Sequence, residues 1–584
     1  MNRLKRVVLI QPASAGGNFE YVAIPRQGML FLSGALAQWD GPYLYEREIW
    51  FEDRYGQLDP DADLAGVDIL MVSALINEGP RAYEIGKLAK LHHPSLVTIG
   101  GGPLMSPLAK EALEEGAFDV IVNREGEDII GQLCDLLLDY KGADLLTELS
   151  KVPGISYMQD GHLAQTARRG LVEPDFVELP DFRSIKGLSP QNPMHAGVLE
   201  TVRGCTEKCT YCQVIQQFLG YRMIKRETEI KRLAQLHELA EDGLIYSSRD
   251  GRFATFVSDD LHPPPLRAVK YRNERLERIK EWKTHTEGMY LICQSRAEVG
   301  QDLELASALR ETGMEMLYVG VESDNALNLE LVKKRQDPGQ VNKDMETLNA
   351  MGFTLVAMTI IGLPYDTEEG ITTMADWVTT VSKYQTANLL TPLPATSNWN
   401  DLVPLDEDGS ILPEGKMRPY HLYTGKQFVH VDERWNMQES RQIYDRYQAR
   451  LNPIDNLYGR MDKVMRRQSS RLTIASIEIG QTIATRINQV SDTLKSVSTA
   501  AKRDLTDSIS LRLDYITASL HGIAESAGNE LTDTIFSRIG HASENLRAIA
   551  DNRGKDLTTN VTNQLKQASD SLRGIASELV VKPA

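Results

Sequence analysis

Along the first 140 or so residues, short apolar runs alternate with segments of helical periodicity. RVVLI, VDILMVSAL, LVTIGG and FDVIVN are the apolar runs, and helical patterns lie near residues 28–39 and 80–92. Strands alternating with helices predict a parallel sheet covered on both faces, the doubly wound α/β class, over residues 1–142. Ligands of such sheets bind at the carboxyl ends of the strands, here the loops 11–18, 73–79, 100–106 and 123–127. Residues 143–195 read as a linker, punctuated by Gly154, Gly161, Pro174, Pro180, Pro190 and Pro193, with room only for short strands such as ISYMQ.

A second α/β unit starts at VLETVRG and continues through FATFVSDD, MYLICQSR, MLYVGVES, TLVAMTIIGLP and ANLLTPLP, with helical patterns between most of them. This order predicts a partial (β/α) barrel over 196–400, whose active site lies at the strands' carboxyl ends. The segment 401–465 follows, and His421, Tyr423, His430 and Trp435, with Trp399 just before it, mark it as an extension placed to cap the barrel's pocket. From about residue 466 the chain becomes rich in Ser, Thr, Ala and Ile and repeats itself. Leu494, Leu520, Leu546 and Leu572 are each 26 positions apart, as are Leu505, Leu531 and Leu557. Twenty-six residues over seven turns is about 3.7 per turn, close to the α-helical period. The reading is an α-helical repeat tail, either one long coiled-coil helix or a bundle broken at Gly528 and Gly554, serving homo-oligomerisation or docking.

A length of 584 residues fits this multi-domain division. The net charge of −17, with no dense basic stripe, argues against a nucleic-acid partner. The opening MNRLKRVVLI ends its apolar run at Gln11 and Pro12, as a first strand does and a signal peptide does not. No stretch approaches the roughly 18 to 20 apolar residues of a transmembrane segment, so a cytoplasmic protein is expected. In that setting cysteine points to metal rather than disulfide. Of five cysteines, Cys205, Cys209 and Cys212 fall within eight positions, in RGCTEKCTYC. Three thiolates suit three irons of a cubane and leave the fourth open; a zinc site wants a fourth ligand, and the next histidine is His237. Cys134 and Cys293, in apolar segments, read as core.

With its CxxxCxxC spacing and Tyr211 before the last cysteine, the chain resembles the radical S-adenosylmethionine (SAM) superfamily. That resemblance implies a [4Fe–4S] cluster on the three cysteines, SAM chelated by the open iron, and reductive cleavage to a 5′-deoxyadenosyl radical. It implies an electron donor such as flavodoxin or ferredoxin. It places Asp259 and Asp260 at the SAM amino group, Arg296 at its carboxylate, and Glu322 with Ser323 near its ribose. IPRQGMLFLSGAL, TIGGGPLMSP and FDVIVNREGEDII resemble the cobalamin-binding domain that precedes such barrels in one subgroup, with Gly100, Gly101 and Gly102 letting the backbone approach the ligand. The DxHxxG motif that supplies a histidine to cobalt in other cobalamin proteins is missing, as is common among radical SAM relatives. The expected function is cobalamin-dependent methyl transfer to an unactivated carbon of a small-molecule or lipid-like substrate. A non-methylating cyclase or oxidative enzyme, or a scaffold organised by the tail, are the alternatives.

Overall fold

The computed structural model describes residues 3–15, 24–257 and 266–454, with 457, 460 and 465. Residues Met1–Asp462 make one compact unit; the second, Lys463–Ala584, holds the 26-residue repeats, which lie outside the described residues.

The first sheet is built from β1 (Arg3–Gln11), β2 (Tyr43–Phe51), β3 (Ile69–Ser73), β4 (Val97–Gly101), β5 (Val120–Val122), β6 (Ile155–Gln159) and β7 (His162–Gln165). Its order is β2-β1-β3-β4-β5-β6-β7. The first five strands are parallel and form the doubly wound arrangement expected, with its switch point between β1 and β3. Alternate residues of β1 enter separate cores: Val7 and Leu9 join one, Val8 and Ile10 the other. A strand buried on both faces reads as a continuous apolar run. β2, which pairs with β1 along its whole length, was not among the expected strands. Glu46, Arg47 and Glu48 interrupt its apolar pattern, an interruption that an edge strand tolerates. In the linker ISYMQ forms the short strand expected, β6, and with β7 it extends this sheet as an antiparallel hairpin, which the linker reading did not include.

The second sheet contains β8 (Ala196–Leu199), β11 (Phe253–Val257), β12 (Met289–Ser295), β13 (Met314–Glu322), β14 (Thr354–Ile361) and β15 (Tyr384–Leu389). It runs β15-β14-β13-β12-β11-β8, all parallel, as a six-stranded partial barrel. VLETVRG is not one strand. After β8 the chain breaks at Glu200 and Thr201, and β9 (Val202–Gly204) turns away to pair antiparallel with β10 (Tyr221–Met223). Buried Glu200 stabilises this break by accepting from Arg203 at 2.8 Å and from Arg232 at 3.2 Å.

The extension packs against both halves. Glu111, on the helix Ala109–Glu115, accepts from Tyr83 Oη at 3.0 Å and from Tyr420 Oη at 2.6 Å. Its last helix, Met437–Gln448, begins with a capping box between Asn436 and Glu439. Among the described residues, no helix is long and apolar enough to cross a membrane.

Candidate functional site

β9 delivers the cysteine loop. Its last residue, Gly204, has φ of +87°, and a Cβ there would lie 1.9 Å from the Gly220 carbonyl oxygen, so the hairpin requires glycine. Cys205, Cys209 and Cys212 follow, and all three line a cavity of about 560 Å³ at the carboxyl ends of the barrel strands. The loop is pinned by Cys212 N donating to Cys209 O (3.2 Å) and Thr210 N donating to Val332 O (3.2 Å). Burial pushes the Cys212 thiol up to about 12, so a metal centre binding there must displace its proton. Among the described residues, no three acidic, His or Cys side chains stand close enough to share one metal ion. Thiols that face one cavity without converging on a point suit ligation of three different irons better than one ion at about 2.3 Å. Cys134 and Cys293 are fully buried in the core, as expected.

The other residues singled out in the sequence divide into those that reach this cavity and those that do not. Arg296 follows β12 and is 2% exposed. Its Nη2 donates to the Lys334 and Arg335 carbonyls at 3.1 and 3.0 Å. Nε and Nη1 are buried without a hydrogen bond, although Glu298 and Glu207 carboxylates lie 3.3 and 3.6 Å away. Glu322 ends β13 in the left-handed region, φ 64°, where the β13–β14 register shifts. Such strain turns the carboxylate into the cavity, where Lys334 Nζ donates to it at 2.6 Å. Tyr211 lies beside it, and burial first, then the Glu322 carboxylate, holds the phenol protonated well above its usual range. Ser323 does not line the cavity; its buried hydroxyl accepts from Asn325 N at 3.1 Å, a turn-capping role. Asp259 and Asp260 lie outside the described residues.

Gly100, Gly101 and Gly102 line a second cavity, about 320 Å³, at the ends of β1, β3 and β4. The three glycines serve different needs. A Cβ on Gly100 would meet Ile121 Cδ1 at 2.6 Å, and one on Gly102, at φ +81°, would meet Ser73 Oγ at 2.3 Å. Around Gly101, by contrast, the nearest atom would be 3.5 Å away, so its missing side chain leaves room. Gln11 Oε1 and Gln27 Nε2, both buried among the lining residues, have no hydrogen-bond partner. A group bearing both donors and acceptors would satisfy them.

In the wall of this cavity Arg203 joins the two halves. It binds Glu200 and Glu125 at 2.8 Å and Glu127 at 2.9 Å, and is 3% exposed. Glu125 and Glu127 belong to the loop after β5, whereas Arg203 stands two residues before Cys205. The two cavities abut, with Arg26, Leu75, Gln213 and Val214 lining both. Gln213, next to Cys212, donates from Nε2 to Pro103 O at 2.6 Å and Pro394 O at 3.0 Å, tying the cysteine loop to the turn after Gly102. Gln11, Arg203 and Gln213 escaped the sequence reading. Gln11 carried a signal there, since it opens the loop 11–18, and Gln213 carried one by its place beside the last cysteine.

A sequence profile of the Radical SAM superfamily matches residues 199–378, the stretch that holds the cysteine loop and most of the barrel. Residues 199–378 form a radical SAM domain. Over 342 residues this radical SAM enzyme is 27% identical to an uncharacterized methyltransferase of Pyrococcus horikoshii, covering 57% of this chain and 68% of that protein. It is 25% identical over 334 residues to the hopanoid C-3 methylase of Methylococcus capsulatus, covering 55% of this chain and 58% of the methylase. In fold it is similar to the radical SAM methyltransferase TsrM of Kitasatospora setae, a structure with cobalamin and a [4Fe–4S] cluster bound. That match has a TM-score of 0.57 at 14% identity, and covers 81% of this chain and all of that one.

Proposed function

We propose that this radical SAM enzyme is a cobalamin-dependent methyltransferase that replaces hydrogen by methyl at an unactivated carbon. The observation that carries this reading is the pair of abutting cavities, one lined by the three cysteines and the other at the switch point of the first sheet. The similarity to methyltransferases supports it.

Cys205, Cys209 and Cys212 would each hold one iron of a [4Fe–4S] cluster, which with SAM on its open iron supplies a 5′-deoxyadenosyl radical. Arg296, whose Nε and Nη1 have ion-pair neighbours in Glu298 and Glu207 but no hydrogen bond, would hold the SAM carboxylate. Glu322 and Tyr211, which line the cavity, would hold the ribose, while Asp259 and Asp260 are assigned to the amino group on sequence alone. In the second cavity Gly101 makes room for cobalamin, a methyl carrier, and the Gln11 and Gln27 side-chain amides suit its peripheral amide groups. No histidine lines this cavity among the described residues, which agrees with the missing DxHxxG motif. Per turnover, one substrate C–H becomes C–CH3 and two SAM molecules give methionine, 5′-deoxyadenosine and S-adenosylhomocysteine. Two electrons come from an external one-electron donor, for which flavodoxin or ferredoxin is proposed.

The products test this directly. Anaerobic incubation with reductant, cobalamin and an extract of the source cells should yield 5′-deoxyadenosine and S-adenosylhomocysteine together. 5′-Deoxyadenosine alone would remove methyl transfer and leave a cyclase or oxidative reaction. A second check uses Gly101, whose backbone is extended and open to any residue. Gly101→Leu should fold normally and fill the cavity, so that cobalamin no longer co-elutes with the protein on gel filtration. Full retention would place cobalamin elsewhere.

A further inference from the structure

Gln213 follows the last cysteine and lines both cavities. Its backbone is fixed, because its carbonyl accepts from Gln216 N and Gln217 N at 2.9 and 3.0 Å as it opens the short helix Val214–Gln217. The side chain therefore starts from a set point. Its Nε2 donates to Pro103 O at 2.6 Å and to Pro394 O at 3.0 Å. Two carbonyl oxygens can only accept, so the amide nitrogen must face them, and both of its hydrogens are used.

Each of these carbonyls belongs to a turn that is itself held. Pro103 stands between Gly102, at φ +81°, and Leu104, whose N donates to Ala74 O at 3.0 Å. Gly102, Pro103 and Ala74 all line the cavity of the first sheet. Pro394 precedes Ala395, which takes a left-handed φ of +66°, uncommon for a residue with a Cβ. Buried Thr396 holds that turn by donating from N and from Oγ1 to Leu393 O, at 3.1 and 2.6 Å. Backbone strain of this kind persists only where the surroundings over-determine it. One amide thus locks together the cysteine loop, the turn after β4 and the turn beyond β15. Arg203 grips the chain just before Cys205, and Gln213 grips it just after Cys212.

Resting on the methyltransferase reading, we propose that Gln213 is a positioning residue that sets the interval between the cluster and cobalamin and so couples radical formation to methyl transfer. A slip of the cysteine loop against the turn at Gly102 leaves each cavity whole but changes the distance between what they hold. Reaction between bound groups falls steeply with such misplacement.

Gln213→Met keeps the side chain's length and removes both donors, so the reconstituted full-length variant should hold iron and cobalamin as wild type does. Given reductant, SAM and the cell extract, wild type should release S-adenosylhomocysteine and 5′-deoxyadenosine in equal amounts. In Gln213→Met the ratio of the first to the second should fall at least about threefold, because radicals form and transfer misses. Electron paramagnetic resonance gives an answer that needs no turnover. Reducing the cluster to its paramagnetic state should speed relaxation of the Co(II) cobalamin signal in wild type, and this enhancement should shrink in Gln213→Met. Tyr420→Phe is the control, since it removes another long-range bond, the 2.6 Å contact with Glu111, at a residue that lines neither cavity. It should match wild type in both measurements. The proposal is overturned by an undiminished enhancement in Gln213→Met, by an equal loss in Tyr420→Phe, or by loss of iron or cobalamin from Gln213→Met, which would make the tie one of retention rather than spacing. If wild type itself gives no S-adenosylhomocysteine, the methyltransferase reading falls, and the relaxation measurement still decides what Gln213 does.

Discussion

Replacing any one of Cys205, Cys209 or Cys212 by alanine is expected to abolish SAM cleavage. Three thiolates are the fewest that hold a cubane with one iron left open, so a missing ligand costs the cluster rather than a fraction of its activity. Reconstituted wild-type protein should carry about four irons and four sulfides per chain, and the three variants should carry little of either. Cys134→Ala and Cys293→Ala supply the contrast. Both side chains are fully buried in the hydrophobic core, so these variants should keep iron and activity while losing about 1 kcal/mol of stability to the small void. Stoichiometric zinc without sulfide in the wild-type protein would end the cluster assignment.

Arg203→Met should be strongly destabilising. The guanidinium sits among the carboxylates of Glu200, Glu125 and Glu127, at 2.8 to 2.9 Å, with its side chain only 4% exposed. Removing it leaves buried negative charge uncompensated, a change that costs about 3–5 kcal/mol. Partial cover persists because Arg222 also pairs with Glu125 at 3.0 Å and Arg232 with Glu200 at 3.2 Å. Arg203→Lys should recover only part of the loss, since one ammonium cannot reproduce the planar set of donors that reaches three carboxylates. Thermal unfolding of the two variants beside wild type is the measurement, and a midpoint within one degree of wild type for Arg203→Met would show that the network adds nothing. Because Arg203 stands two residues before Cys205, iron content should fall with stability in this variant, unlike in the core cysteine variants.

The parts of this molecule legible in its sequence are those whose physics is local. Parallel strands covered on both faces are mostly apolar, which is why β1, β3, β4 and most of the barrel strands announce themselves, whereas β15, with Gln385, Thr386 and Asn388, does so least. The cysteine triad is legible for a similar reason, since the spacing that places three thiols on one loop is itself the chemistry. β2 was hidden, because its pairing with β1 along an edge tolerates the run Glu46, Arg47, Glu48 that removes the local pattern. Ser323 was misleading. It looks like a strand-end polar group facing a ligand, but the left-handed turn at Glu322 directs the carboxylate inward and leaves the serine to cap the turn behind it. In the glycine run, composition shows three equivalent residues, and only their surroundings separate the two that packing and backbone require from Gly101, which leaves space. The largest gap concerns what joins the two cavities. Arg203 meets Glu125 across 78 residues and Gln213 meets Pro394 across 181. A contact of that range leaves no periodicity or spacing behind, because it depends on surfaces distant in sequence meeting, and only the tertiary structure brings them together.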